Sequence, residues 1–338
     1  MIDSALHALR AAPSYPLEAR DSAELPYDVF VRDYMRKNRP VVVRNAASAW
    51  PALHKWTPEF FKRQFAGKMV QVDYDHTMTF ADFIDGVLAS TSEQPGPYMY
   101  RLFIHEHLPE VLPDLTEQNP YAFPRRYASP LMRTHWRRPD GYLKLLIGGV
   151  GSSFPAIHYD TENAHASVTE IYGDKEFLVY PPSDAPYLYP NPEVRNKSLI
   201  SDPLHLDLDQ FPRQAQATLY RAVLHPGDMV FVPSRWWHTA RALSSSISVG
   251  MNTLDSSNWD GFLAETFRPT ARRRRPSQVA NWLYWSALGH LLSSLERLQD
   301  DHPMVARALV LPHLLAPTSS AVCREPARMQ LRIRPRQD

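Results

Sequence analysis

Three side chains able to share a metal ion stand in two short stretches. His158 and Asp160 lie in Ile157-His158-Tyr159-Asp160, and His238 closes Pro233-Ser234-Arg235-Trp236-Trp237-His238. The first pair is spaced i, i+2 in a segment that reads as a strand, so both side chains point to one face. Two imidazoles and one carboxylate on three corners of an octahedral face suit Fe(II) and leave positions for a co-substrate and O2. Taken alone, His-x-Asp is a weak signal that reads first as a strand with one hydrogen-bonded polar pair. The surrounding elements therefore carry the argument.

Between Tyr142 and Asn252, short runs of β-branched and aromatic residues alternate with Gly, Pro, Asp and Ser. Strands are predicted near 142–147, 155–160, 165–172, 175–180, 217–224, 229–232, 237–243 and 246–252, a pattern that indicates an antiparallel sandwich or barrel. Pro226-Gly227-Asp228 reads as a tight turn, and the proline-rich stretch from Pro181 to Gln216 as a covering over one edge. Upstream the pattern is mixed. A helix is predicted over Leu25 to Lys37, and strands at Val41 to Val43, Met69 to Asp73 and Tyr98 to Leu102. Thr57-Pro58-Glu59 and Thr79 with Asp82 are helix starts, each with a hydroxyl cap. Downstream, Trp282, Trp285, Leu288, Leu292, Leu295 and Leu298 form a helical stripe, and Pro303 to Leu315 a further short helix. Arg272 to Arg275 reads as a solvated loop, and Arg324 to Asp338 as a loosely attached tail.

The bulk numbers exclude several classes. The 338 residues carry 37 Lys and Arg against 36 Asp and Glu, a formal charge of +1. Such a balance does not give the basic surface of a nucleic-acid binder. The one cysteine, Cys323, leaves no internal disulfide framework and no cysteine zinc cage. No signal-peptide pattern opens the chain and no stretch approaches the roughly 20 apolar residues of a membrane span. A cytoplasmic protein is expected.

Several ordered motifs accompany the metal residues: Arg39-Pro40-Val41-Val42-Val43, Trp50-Pro51-Ala52, Tyr172-Gly173-Asp174-Lys175 leading to Tyr180-Pro181-Pro182, His225-Pro226-Gly227-Asp228, Trp-Trp-His, and Ser248 to Asn252. In this order they resemble the JmjC/cupin-like 2-oxoglutarate oxygenases, particularly the branch that includes the asparaginyl hydroxylase factor-inhibiting HIF. The resemblance covers roughly residues 24–255. It implies a mainly β fold: a double-stranded β-helix (jelly-roll, cupin) core, about 140–255, with α/β elements before it and C-terminal helices after it. Residues 1–23 become an N-terminal extension, 256–322 a helical region and 323–338 a flexible tail.

The resemblance also implies roles. His158, Asp160 and His238 fall on the iron triad, and Lys175 on the lysine that binds the distal carboxylate of 2-oxoglutarate. A lysine buried in a barrel needs an anionic partner, which a dicarboxylate would be. Tyr98 or Tyr100 falls on the tyrosine that hydrogen-bonds that carboxylate, with Tyr100 favoured. Asn252 falls on the asparagine near co-substrate and iron. The threonine often found three residues before the first metal histidine is replaced by Pro155, with Ser153 nearby as a co-substrate contact. Two extra residues separate His158 from Lys175, so the substrate-facing position falls on Asn163, Ala164 or His165. His165 reads first as a packed strand histidine and second as a substrate contact. Trp237, like Trp236, reads first as barrel-rim packing and second as a substrate platform. Implied with them are Fe(II), 2-oxoglutarate and O2, hydroxylation of a C–H on an amino-acid side chain of a protein or peptide, and a homodimer through the C-terminal helices. A free amino acid or natural-product intermediate is the second substrate class. A metal-dependent cupin isomerase or lyase and a catalytically silent binding module are the competing functions, and Lys175 weighs against the first of these.

Overall fold

The computed structural model describes residues 10–304 except 12, 73–75, 116–118, 123–125, 127, 128, 130, 132–142, 268–275 and 303. The expectations for Arg272 to Arg275, for the helix from Pro303, for Cys323 and for the tail lie outside the described residues.

The strands in chain order are β1 (Arg10–Ala11), β2 (Ser14–Pro16), β3 (Ala19–Asp21), β4 (Val41–Arg44) and β5 (Met69–Gln71). Next come β6 (Thr77–Thr79), β7 (Tyr98–Phe103), β8 (Lys144–Gly148), β9 (His165–Tyr172) and β10 (Lys175–Tyr180). The last are β11 (His205–Leu206), β12 (Leu219–Leu224), β13 (Met229–Val232), β14 (Trp237–Ala242) and β15 (Ser246–Thr253). The helices are α1 (Tyr27–Phe30), α2 (Ala52–Lys55), α3 (Pro58–Phe65), α4 (Phe80–Leu88), α5 (Ile104–His107), α6 (Trp259–Thr266) and α7 (Pro276–Asp301).

Two sheets make the core. One has the order β14-β10-β12-β2, the other β3-β4-β13-β9-β15-β8-β7. Side chains alternate across each strand. One face of the larger sheet meets the smaller sheet, through Val42, Val230 and Val232 against Phe177, Val179 and Leu224. Its other face, with Val41, Val43, Phe231, Ile147 and Val249, packs on Phe30, Phe61, Phe80, Phe83 and Ile84 of the N-terminal helices. This is the expected mainly β jelly-roll with flanking helices.

The caps read from the sequence are present: Thr57 Oγ1 accepts from Phe60 N–H and Thr79 Oγ1 from Asp82 N–H, each at 3.1 Å. The helix expected over Leu25 to Lys37 is a short α1 followed by a wider π turn, Val31–Met35. The stretch 155–160 is not a regular strand. His158 makes isolated bridges to His238 and Lys197, because a lone segment between two loops has no continuous neighbour to pair with. The covering from Pro181 packs Leu188, Ile200 and Phe211 on the outer face of the smaller sheet, against Leu178, Tyr180 and Trp237, rather than over an edge. Residues 14–16 and 19–21, placed in the extension, pair in parallel with β12 and β4 and so join both sheets. The helical stripe forms α7, held by Arg126. This fully buried guanidinium donates to Glu296 at 2.7 and 2.8 Å and stacks on Trp259.

Candidate metal centre and co-substrate cavity

His158 and His238 are held by each other's backbone. His158 N–H donates to His238 C=O at 2.9 Å, and His238 N–H returns the bond at 2.7 Å. Their ring centroids lie 4.4 Å apart, and Phe154 stacks on His158 at 4.1 Å. Each Nδ1 is engaged locally, His158 with Ala156 C=O at 3.2 Å and His238 with Trp236 C=O at 3.1 Å. A carbonyl can only accept, so Nδ1 carries the proton and Nε2 keeps a free lone pair. His238 Nε2 stands 3.6 Å from Asp160 Oδ2, and one ligand atom from each of the three residues falls within 4.8 Å of the others.

Burial and the neighbouring His238 hold His158 down to a pKa of about 3. Burial acts to raise Asp160, but His238, His158, Lys144 and a hydrogen bond from Asn252 outweigh it and lower its pKa. His158 is therefore a neutral imidazole and Asp160 a carboxylate at neutral pH. Among the described residues, no fourth His, Cys, Asp or Glu joins the cluster. Such a donor set fits Fe(II) with open positions.

The metal residues open on a cavity of about 570 Å3, counting the part open to solvent, with Tyr98, Tyr100, Lys144, Phe154, Phe177 and Asn252 among its walls. Strand register sets its depth. Val179 pairs with His238 and Lys175 with Ala242, four residues further along the same two strands, a run of about 13 Å. Lys175 is fully buried below the cavity. Its Nζ hydrogen-bonds Ser248 Oγ, lies 3.7 Å from Glu170 Oε2 and sits 5.5 Å from the Tyr98 ring centroid.

The remaining expected residues divide. Tyr98 and Tyr100 both line the cavity, Tyr98 over Lys175 and Tyr100 against Phe154. Asn252 sits between Lys144, whose Nζ donates to its Oδ1 at 2.8 Å, and Asp160. Ser153 is exposed and bridges to Arg241 away from the cavity, because the chain turns there and sends Phe154 inward instead. Asn163, at φ +51°, is turned toward α6: its side chain donates to Asn258 C=O at 2.9 Å and its N–H to Glu265. Ala164 is buried in the α6–α7 core.

His165 is a packed strand histidine, on the opposite face of β9 from the cavity. Its Nδ1 accepts from Ser234 N–H at 2.8 Å, and Nε2 meets Ser257 Oγ at 3.0 Å and Asp255 at 3.3 Å. Trp237 alternates with His238, so it faces the outer core and packs edge-on against Tyr159. Two residues escaped the sequence reading. Lys144 and Glu170 each announced themselves only as a charge inside a largely apolar strand.

Residues 26–254 match the cupin-like domain family. The chain belongs to this family. It is 27% identical over 302 residues to the human bifunctional peptidase and (3S)-lysyl hydroxylase JMJD7, covering 74% of this chain and 91% of that protein. It is 26% identical over 227 residues to lysine-specific demethylase 8 of Xenopus tropicalis, covering 64% of this chain and 48% of that protein. Over 242 residues it is 26% identical to the Arabidopsis thaliana lysine-specific demethylase JMJ30, covering 67% and 52%. It thus spans about half the length of the last two. Family and donor set together make the protein a JmjC-type oxygenase that uses Fe(II), 2-oxoglutarate and O2. No helix among the described residues is long and apolar enough to cross a membrane.

Proposed function

We propose that the protein hydroxylates an unactivated C–H on an amino-acid side chain of a protein or peptide. The observation that carries this reading is the three-ligand cluster with free Nε2 atoms on a cavity one of whose walls, Tyr98, lies against the fully buried Lys175. When bound, iron and 2-oxoglutarate supply an oxidant able to remove hydrogen from such a C–H. His158, Asp160 and His238 hold the metal on one side. Lys175, with Ser248 and the Tyr98 phenol, takes the distal carboxylate, and Asn252 keeps Asp160 ionised and oriented. The activity for which the human relative is named, lysyl hydroxylation, supports a side-chain substrate.

The demethylase names of other relatives support a second outcome of the same chemistry, oxidation of an N-methyl carbon. The assay measures succinate released from 2-oxoglutarate with Fe(II) and ascorbate, for the wild type and His158→Ala, alongside mass spectrometry of candidate peptides and free amino acids. A gain of about 16 Da supports hydroxylation. Loss of a methyl group with formaldehyde release supports demethylation. No turnover and no iron-dependent 2-oxoglutarate binding would leave a silent binding module.

The domain division follows the same reading, with an oxygenase domain over 24–255 to which residues 14–21 add two edge strands, and a helical region beyond it. Leu283 and Leu291, about half exposed on α7, support a homodimer through this helix. Sedimentation of the wild type against a Leu283→Glu, Leu291→Glu variant tests it. The cytoplasmic assignment rests on the single cysteine.

A further inference from the structure

Glu170 is fully buried inside the barrel, and none of the roles above uses it. Plain alternation along β9 takes it there, and a bulge follows it. Thr169 pairs with Val249 and Glu170 with Ser248, but the next β15 residue, Ile247, pairs with Tyr172. The unpaired Ile171 is the extra residue of the bulge, and it turns outward into the core on the far side of the sheet. Glu170, two and four residues from Val168 and Ala166, shares the face of these two cavity walls and ends beside Lys175. Ser248 Oγ donates to Glu170 Oε2 at 2.7 Å, while Oε1 is buried with no hydrogen-bond partner.

The lysine that would hold the co-substrate thus already has a carboxylate. When the distal carboxylate of 2-oxoglutarate arrives, two anions and one cation meet in a fully buried space. Two carboxylates sharing one site do not both stay ionised. We propose that Glu170 competes with 2-oxoglutarate for Lys175, and that the co-substrate binds with uptake of one proton from solvent, onto the Glu170 carboxylate. As an acid, Glu170 turns from rival anion to hydrogen-bond donor. This inference rests on the proposed role of Lys175.

The groups facing Glu170 are consistent with such a change. Burial is the largest influence and raises its pKa to about 7, against the pull of Lys175 and of the Ser248 and Ser246 hydroxyls. Asp174, in the turn between β9 and β10, pushes in the same direction as burial, and the Tyr98 phenol stands above Lys175.

The test is calorimetry of 2-oxoglutarate binding to the Mn(II)-loaded protein at pH 6.5, 7.5 and 8.5, in buffers of different ionisation enthalpy. The expected result is a Kd that weakens roughly 20-fold from pH 6.5 to 8.5, with proton uptake approaching one at the upper end. Glu170→Gln keeps the shape without the charge. It is expected to abolish the uptake, flatten the profile and bind 2-oxoglutarate more tightly than the wild type at pH 8.5. Pyruvate, which has the keto-acid end but no distal carboxylate, is expected to bind without uptake. A flat wild-type profile without uptake, uptake that persists in Glu170→Gln, or equal uptake with pyruvate would each overturn the inference and leave the oxygenase reading intact. Wild-type protein that takes Mn(II) but no 2-oxoglutarate at any of these pH values would overturn both.

Discussion

Replacing Lys175 by Met separates two things the buried ammonium could be doing. If it only neutralises Glu170, its removal leaves an uncompensated buried charge, a loss of about 3–5 kcal/mol, and no effect on co-substrate. The surroundings of Glu170 point the other way. Its pKa already stands near 7, so at pH 6 it is mostly protonated with Lys175 present and needs no cation. Without Lys175 its pKa rises further, and the folded state then holds a proton that the unfolded chain has released. Stability relative to wild type is kept below pH 7 and lost as pH rises above it, by about 1–2 kcal/mol at pH 8. The methionine refills most of the stem's volume. Binding of 2-oxoglutarate, by contrast, loses a charge-assisted hydrogen bond worth about 1.5–3 kcal/mol, a 10- to 150-fold weaker Kd. Urea unfolding at pH 6 and pH 8, together with calorimetry on the Mn(II)-loaded variant, reads both quantities. A variant that unfolds several kcal/mol more easily at pH 6 yet binds 2-oxoglutarate normally would show that Lys175 is a structural ion and not a co-substrate ligand.

Three other outcomes are expected. His238→Ala removes one ligand and its backbone-set orientation, so Fe(II) affinity falls at least 10- to 100-fold while the fold persists; circular dichroism and metal titration check this. Gly173, at φ +74°, turns the chain from β9 into β10, and a Cβ there would lie 2.1 Å from Ser245 C=O. Gly173→Ala is therefore expected to cost about 2 kcal/mol or more and to weaken 2-oxoglutarate binding by displacing Lys175, read by thermal unfolding and calorimetry. Arg126→Met leaves Glu296 buried without its cation, a loss of about 3–5 kcal/mol. It should release α7 from the domain before the barrel melts, visible as selective limited proteolysis within 276–301; simultaneous cleavage everywhere would refute a separately anchored α7.

Much of the barrel was legible because local pattern and tertiary demand agree there. The predicted β9, β10 and β13 match their observed ranges, since β-branched runs between Gly, Pro and Asp turns suit buried strands whatever their partners. The helix starts at Thr57 and Thr79 were equally readable, a cap being satisfied within four residues. The segment 155–160 misled for the opposite reason. Its alternation is that of a strand, but strand geometry needs a neighbour, and only His158 finds one. The first 23 residues carry no strong pattern, yet two of their short stretches close the sheet edges.

Sequence alone determined the chemistry available: two histidines, an aspartate and a lysine in the order of the resembled family, because side-chain type and order are properties of the chain itself. Only the tertiary structure decided which groups meet. It turned Asn163 and His165 away from the cavity, brought Phe154 rather than Ser153 to its wall, and set Glu170 against Lys175. Register decides such placements, and it depends on hydrogen bonds between strands distant in sequence, where a slip of one residue reverses every side chain.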